Sequence, residues 1–310
     1  MKAAVIHSFG SADVLDLEEL ESPRPGRNEV RVKVHAASVN PVDYKIRSGK
    51  YPVLREKDLP VVLGRDVAGE VAECGEGVRR FRKGDEVYAM LDRKHGGYAE
   101  YTIVNENDLA GMPKGLGYAE AAAVPLAAIT AWQGLFDHGE LEPGQLVLIH
   151  GGAGGVGHFA VQFAKQRGAT VATTVSRDDF DFVRSLGADR VIDYRAERFE
   201  DVIGDVDLVF DLVGGETQER SLSVLKRGGA LVSTLSLSKS SEEKAAKLGV
   251  RATNYLAQPN GHELEEIARL IDSGQVRPHV EAVYPLADVR AAQRRLEEQH
   301  AQGKIVVSVA

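Results

Sequence analysis

Cysteine is almost missing: Cys74 is the only one in 310 residues. A single thiol excludes an intrachain disulfide and any multi-cysteine zinc site, and it suits a cytoplasmic protein. Cys74 ends a strand-like stretch, Val67 to Cys74, where a packing role is expected over a reactive one. Excess positive charge is missing too, with 38 Lys and Arg against 46 Asp and Glu and a formal net charge of -8. That balance argues against a broad nucleic-acid or anionic-membrane surface, so neither is an expected partner. Long apolar runs are also lacking. The longest, Ala121 to Trp132, is broken by Pro125 and Thr130 and falls well short of the ~20 residues of a membrane span. Met1 to His7 is too soon interrupted for a secretory leader and reads as a first strand. Repeats, charge blocks and low-complexity linkers are absent.

What is abundant is glycine, 32 residues, beside a hydrophobic content of 43%. Together with the length, this predicts a two-domain α/β protein with many tight turns. Leu146 to His150 reads as a buried strand running into Gly151–Gly157 and then an amphipathic helix. Gly152, Gly154 and Gly157 fit G-x-G-x-x-G: a tight turn, a point of close approach to a pyrophosphate, and a close strand–helix contact. The helix N-terminus adds free N–H groups and partial positive charge. Glycine-rich turns often only reverse a chain, so the surroundings decide. Val156, Phe159, Ala160, Phe163 and Ala164 share one helical stripe, Gly168 is placed to end the helix, and Thr170 to Val175 reads as the next strand.

Residues 1–118 are patterned as short strands, with Val30, Val32, Val34 and Ala36 alternating against polar neighbours, an antiparallel β domain. A helix over Ala119 to Asp137 opens the second domain, 119–255. There, strands near Val147, Val171, Val191, Val209 and Val232 alternate with helices, which predicts a doubly wound parallel sheet. Ligands of such sheets sit beyond the carboxyl ends of the strands. That singles out Gly152, Ala153, Gly154, Gly155, Val156 and Gly157, then Ser176 and Arg177, Val213 and Gly214, and Leu235 and Ser236. Residues 256–310 are expected to return to the first domain.

Three stretches, Ala37–Lys45, Leu63–Gly69 and Gly151–Gly157, together resemble the zinc-free quinone oxidoreductases of the medium-chain dehydrogenase/reductase superfamily, which include NADPH:quinone and alkenal/enone reductases. The likeness continues through Lys83–Val87, Ala122–Ala131, Leu186–Asp189 and Gly303–Val306. It implies a GroES-like β-barrel catalytic domain that includes the C-terminal segment, an inserted Rossmann domain, a cofactor cleft at their junction, and a homodimer formed through an edge strand near Ala252. Zinc-dependent alcohol dehydrogenases of the superfamily place a cysteine at Asn40, Gly-His-Glu at Gly64–Asp66 and a further cysteine near Leu126. Those ligands are replaced here, and no metal is expected.

Without a metal, hydride transfer to an already electrophilic quinone or enone is the accessible chemistry, with donors stabilising the charge that develops on the acceptor oxygen. The donors expected are Lys45 and Tyr44, with Asn40 orienting ribose or substrate. The alternative is a surface pair of Asp43 and Lys45 with Tyr44 packed beside it. Asp43 and Tyr51 are placed at the substrate by the resemblance, and Thr130 near the nicotinamide; packing accounts equally for Tyr51, and a polar break in a helix for Thr130. The loops 47–59 and 90–97 would shape the pocket. NAD-binding units usually carry an acid about 20 residues past the glycine turn. Ser176 and Arg177 stand here instead and suit a 2′-phosphate, so NADPH is the expected cofactor. The resemblance places Tyr194 near that phosphate, while Asp178 and Asp179, in a region where relatives carry lysine, oppose strict selectivity. A nicotinamide-binding structural or regulatory protein is the competing functional reading.

Overall fold

The computed structural model describes residues 1–51 and 54–309. It divides into two compact units, 1–126 with 259–310, and 127–258. The divisions fall after Leu126 and Gln258, against the 118 and 255 expected.

The first unit opens with β1 (Lys2–Ile6) and β2 (Leu15–Glu19), then β3 (Glu29–Val39), α1 (Pro41–Arg47), β4 (Val61–Val62), β5 (Asp66–Cys74), β6 (Glu86–Met90), β7 (Tyr101–Asn105), β8 (Leu109–Gly111) and α2 (Tyr118–Ala122). β1 pairs antiparallel with β2 and β4. β3 organises the larger sheet. Its Val30, Val32 and Val34 point into one apolar cluster with Val67, Val71 and Val87, as the alternation predicts. From Ala36 onward every residue of β3 is buried.

The expected single helix over 119–137 is interrupted. α2 stops before Pro125, α3 (Pro125–Trp132) restarts there, and Gln133–His138 widens into a π-turn. Proline lacks an N–H and disfavours helix in the residue before it, which ends α2. At Gly134 any side chain would strike Phe210 and Tyr255, so glycine lets the π-turn lie against them.

The second unit carries β9 (Leu146–His150), α4 (Gly157–Gln166), β10 (Thr170–Val175), α5 (Phe180–Ser185), β11 (Arg190–Asp193), α6 (Phe199–Val202), β12 (Val206–Asp211), α7 (Glu216–Ser221), β13 (Leu225–Ser233), α8 (Lys239–Leu248) and β14 (Arg251–Asn254). All six strands are parallel, in the order β11-β10-β9-β12-β13-β14. After β9 the chain builds outward on one side, then crosses to β12 on the other. The switch point of this doubly wound sheet therefore lies at the end of β9, where the glycine turn begins.

The chain then returns to the first unit as α9 (Gly261–Asp272), β15 (Val280–Pro285), α10 (Val289–Glu298) and β16 (Lys304–Ser308). β16 pairs with β3 over 36–39, while β7 pairs with β3 over 29–33. One long strand thus changes partners halfway along the same edge, and the resulting sheet runs β15-β16-β3-β5-β6-β8. Among the described residues no helix is long and apolar enough to cross a membrane.

Candidate functional site

In the first unit the candidate residues gather at the start of α1. Asn40 caps this helix and is 1% exposed. Its Nδ2 donates to Asp66 Oδ2 at 2.8 Å, and its Oδ1 accepts from Lys304 Nζ at 2.5 Å. Asp66 is the hub. Oδ2 also accepts from Ser38 Oγ at 2.5 Å, Oδ1 accepts from the Leu126 N–H at 2.6 Å, and Lys304 Nζ lies 3.6 Å away. Asn40 and Leu126, at two of the places compared with zinc ligands, therefore meet on one carboxylate, while Arg65 donates to the Leu91 carbonyl at 2.9 Å. Burial lowers the pKa of Lys304, and Asp66 and Asp43 oppose that shift.

The Asn40 amide thus ties the start of α1 to Asp66 and Lys304. Asp43 does not form the alternative surface pair: at 1% exposure, its Oδ2 accepts the Asn40 N–H at 2.8 Å and the Tyr98 hydroxyl at 2.9 Å. An acid at this position closes the first helical turn and meets the helix dipole. Burial pushes its pKa up to about 6. The far end of α1 is fixed by Arg47, 1% exposed, which donates to Gln293 Oε1 and Glu297 Oε2, both at 2.6 Å. The helix is held at both ends by the C-terminal segment.

Between these anchors the other two candidates stay available. Tyr44 and Lys45 are half-buried, and among the described residues neither Tyr44 Oη nor Lys45 Nζ has a hydrogen-bond partner. Burial, then the Glu297 charge, raises the Tyr44 pKa. Tyr51 folds back on them: its N–H donates to the Lys45 carbonyl at 3.2 Å, and its ring packs against the cluster containing Ile46 and Tyr98. The packing role anticipated for Tyr51 is thus real, beside any contact with substrate. Pro52 and Val53, in the loop expected to shape the pocket, lie outside the described residues.

A zinc ion needs three or four thiolate, imidazole or carboxylate ligands. The cluster offers two carboxylates, Asp66 and Asp43, with an ammonium beside them, and among the described residues no group of three His, Cys, Asp or Glu side chains is placed to hold a metal. These side chains do not fit zinc.

In the second unit the glycine turn sits at the end of β9. A side chain at Gly152 would lie 2.1 Å from Thr173 Oγ1, and one at Gly157 would lie 2.1 Å from the Gly151 carbonyl oxygen. Only glycine permits this close strand–turn–helix packing, and the turn keeps Ala153 buried while Gly154, Gly155 and Val156 are partly exposed. α4, a ten-residue helix, begins at Gly157 and sets its positive end beside that turn, where the His158 and Ala160 N–H groups donate to the Gly154 and Val156 carbonyls. Val213 borders the turn, and Leu235 packs on Gly214. Buried Asp211 fixes this neighbourhood by accepting the Val213 and Gly214 N–H groups, each at 3.0 Å, and the Ser233 hydroxyl at 2.8 Å. Ser236 is exposed past the end of β13. Thr130 lies buried on α3, where its carbonyl takes the Tyr255 hydroxyl.

At the end of β10, Arg177 is exposed but Ser176 is not available as expected. Ser176 Oγ donates to Asp179 Oδ2 at 2.6 Å, and both residues are buried. A hydroxyl whose proton is committed to a carboxylate cannot also donate it to a phosphate. Tyr194, 57% exposed, stands next to this point, just past the end of β11.

Sequence reasoning passed over Lys304, Asp66, Tyr98 and Arg47 as working parts of the first unit, and Asp211 in the second. Lys304 had a signal: it is the one charge entering the apolar run Ile305-Val306-Val307.

Known proteins agree with this architecture. The chain matches the alcohol dehydrogenase GroES-like domain over residues 26–134 and a family described as zinc-binding dehydrogenase over residues 186–307. It is 40% identical to the NADPH-dependent alkenal/one oxidoreductase, chloroplastic, of Arabidopsis thaliana, over 99% of this chain and 79% of that protein. Among solved structures, the quinone oxidoreductase from Coxiella burnetii superposes with a TM-score of 0.93 at 38% identity, covering 100% of this chain and 99% of the other. The Escherichia coli quinone oxidoreductase complexed with NADPH gives 0.90 at 30% identity, with both chains fully covered.

Proposed function

The chain belongs to the quinone and alkenal oxidoreductases of the medium-chain dehydrogenase/reductase superfamily, and from that premise we propose that it reduces quinones or α,β-unsaturated carbonyls with NADPH and without a metal. The observation that carries the metal-free reading is the Asp66 hub. Lys304 supplies the cation at the positions where a zinc-dependent relative would hold its ion. With no Lewis acid, the acceptor must already be electrophilic, which a quinone or a conjugated C=C bond is.

The glycine turn and the start of α4 receive the pyrophosphate of the cofactor, Val213, Gly214, Leu235 and Ser236 border it, Thr130 faces the nicotinamide end, and Arg177 with Tyr194 meets the adenosine 2′-phosphate. When bound, NADPH supplies the hydride. Lys45 and Tyr44 then act on the acceptor. Their N–H and O–H groups stabilise the oxygen as it gains negative charge, by a few kcal/mol for each aimed donor, and one of them passes on the proton that completes reduction. Tyr51 walls the substrate beside them. Asn40, Asp43 and Arg47 hold α1 so that these donors keep their direction.

A homodimer is proposed through β14, an edge strand whose outer side has no sheet partner among the described residues. A cytoplasmic location is proposed on the single cysteine.

Steady-state NADPH consumption against quinones, enals, enones and nitroalkenes tests the activity. Lys45→Ala and Tyr44→Phe are expected to lower kcat by about 10- to 100-fold each. Full turnover in both variants would remove the donor roles, and stoichiometric zinc in the purified active protein would remove the metal-free reading. Tight cofactor binding with no acceptor reduced would favour a regulatory protein instead.

A further inference from the structure

β10 and β11 end side by side. Val175 is in register with Asp193, and the Tyr194 N–H donates to the Val175 carbonyl at 3.3 Å. The residues just past the two strands, Ser176-Arg177 and Tyr194-Arg195, therefore emerge together at the carboxyl edge of the sheet. Asp193 Oδ1 accepts the Arg195 N–H at 3.0 Å, a local turn that sets where Arg195 leaves the strand. The Arg195 guanidinium then lies over the Tyr194 ring, 5.5 Å from its centroid, and is exposed. Among the described residues neither Arg177 nor Arg195 forms a salt bridge. Exposed Asp178 and buried Asp193 are the acids whose charges act on Arg195.

A phosphate dianion is recognised by donors that it can share, and planar guanidinium groups are the strongest available. With its proton given to Asp179, Ser176 leaves that task to its neighbours. We propose that Arg195, braced on Tyr194, is the second guanidinium that joins Arg177 on the adenosine 2′-phosphate, and that this pair sets the preference for NADPH over NADH. The proposal rests on the NADPH reading above. Arg195 acts as a specificity residue: it touches the cofactor far from the reacting carbon, so its removal changes cofactor discrimination and leaves the adenine, ribose and 5′-phosphate contacts in place. Tyr194 supports it by offering a face for the guanidinium and a hydroxyl beside it.

Calorimetric titration of the full chain with 2′,5′-ADP and with 5′-AMP separates the possibilities, because the two probes differ only in the 2′-phosphate. The wild type is expected to bind 2′,5′-ADP more tightly. Arg195→Ala is expected to weaken 2′,5′-ADP by about 10- to 100-fold while 5′-AMP stays within about 2-fold, and Arg195→Lys to recover part of the loss. Unchanged 5′-AMP binding also shows that the variant is folded. If Arg195→Ala keeps the full preference for 2′,5′-ADP, the role of Arg195 is overturned and the NADPH reading stands. If the wild type itself makes no distinction between the probes, the NADPH reading falls, and this proposal with it.

Discussion

The two units use positive charge in opposite ways. In the first unit the buried cations at the two ends of α1 are committed: Lys304 is 3% exposed and bonded to Asn40, and Arg47 is 1% exposed and bonded to Gln293 and Glu297. Beyond β10 and β11, Arg177 and Arg195 stand in solvent without an ion pair among the described residues. A buried charge must be paired or it costs several kcal/mol, whereas an exposed guanidinium is hydrated and stays unpaired at little cost. The closed cluster therefore stores geometry, holding α1 and its donors in place. The open pair stores binding capacity, which only a ligand of opposite charge draws on.

Removing the buried cation is the most severe way to break this contrast. Lys304→Met keeps much of the volume and leaves Asp66 without its compensating charge, so about 3–5 kcal/mol of stability should be lost. Urea unfolding of the wild type and the variant measures it. A loss under 1 kcal/mol would mean that the Ser38, Asn40 and Leu126 hydrogen bonds alone satisfy the carboxylate, and that the cluster does not depend on charge.

How much of this was legible beforehand follows from what sequence patterns report. The valine alternation of β3, the glycine turn after β9 and the parallel sheet were readable, because apolar periodicity and glycine placement record local backbone and burial. The partners of polar residues were not. Asn40 meets Lys304 from 264 positions away, and Asp43, next to a tyrosine and a lysine, looked like half of a surface ion pair until Tyr98 was seen to cover it. Ser176 looked like a phosphate donor because its neighbour is arginine, while its true partner is three residues on. Whether a polar side chain is spent or available depends on long-range packing or on one rotamer, and neither leaves a periodic trace. Tyr44, Lys45 and Arg177, by contrast, have no side-chain hydrogen-bond or ion-pair partner among the described residues.

Protonation gives a second, somewhat smaller test, since each unit buries one group that titrates in the same range. Burial raises the Asp43 pKa from 3.8 to about 6, so its contribution to stability is fully present below pH 3.8 and is lost as pH rises through 6. His150, buried at the end of β9 between Thr174 and Ser221, is shifted the other way, from 6.5 to about 4, by burial. Its contribution is present above pH 6.5 and is lost as pH falls through 4. Each amounts to at most about 3 kcal/mol, and the two oppose each other. The wild type should thus show a shallow stability profile between pH 4 and 6.5. Asp43→Asn should leave stability rising with pH across that window, and His150→Gln should leave it falling. Unfolding curves at several pH values in which both variants keep the wild-type slope would show that neither group titrates as its burial implies.

The smallest effect expected is the one that most directly opposes the Lys304 result. The double variant Arg177→Ala/Arg195→Ala deletes two positive charges where Lys304→Met deletes one, yet it should shift unfolding stability by less than about 0.5 kcal/mol, the range of an ordinary surface substitution. The contacts at risk are those of Arg195 with the Tyr194 ring and hydroxyl and the weak fields of Asp178 and Asp193, all solvent-screened. If the double variant instead lost 2 kcal/mol or more without any ligand, these arginines would be structural, and their exposure would no longer count as readiness to bind. With stability unchanged, any loss of 2′-phosphate recognition can be assigned to the missing guanidinium groups and not to a damaged fold.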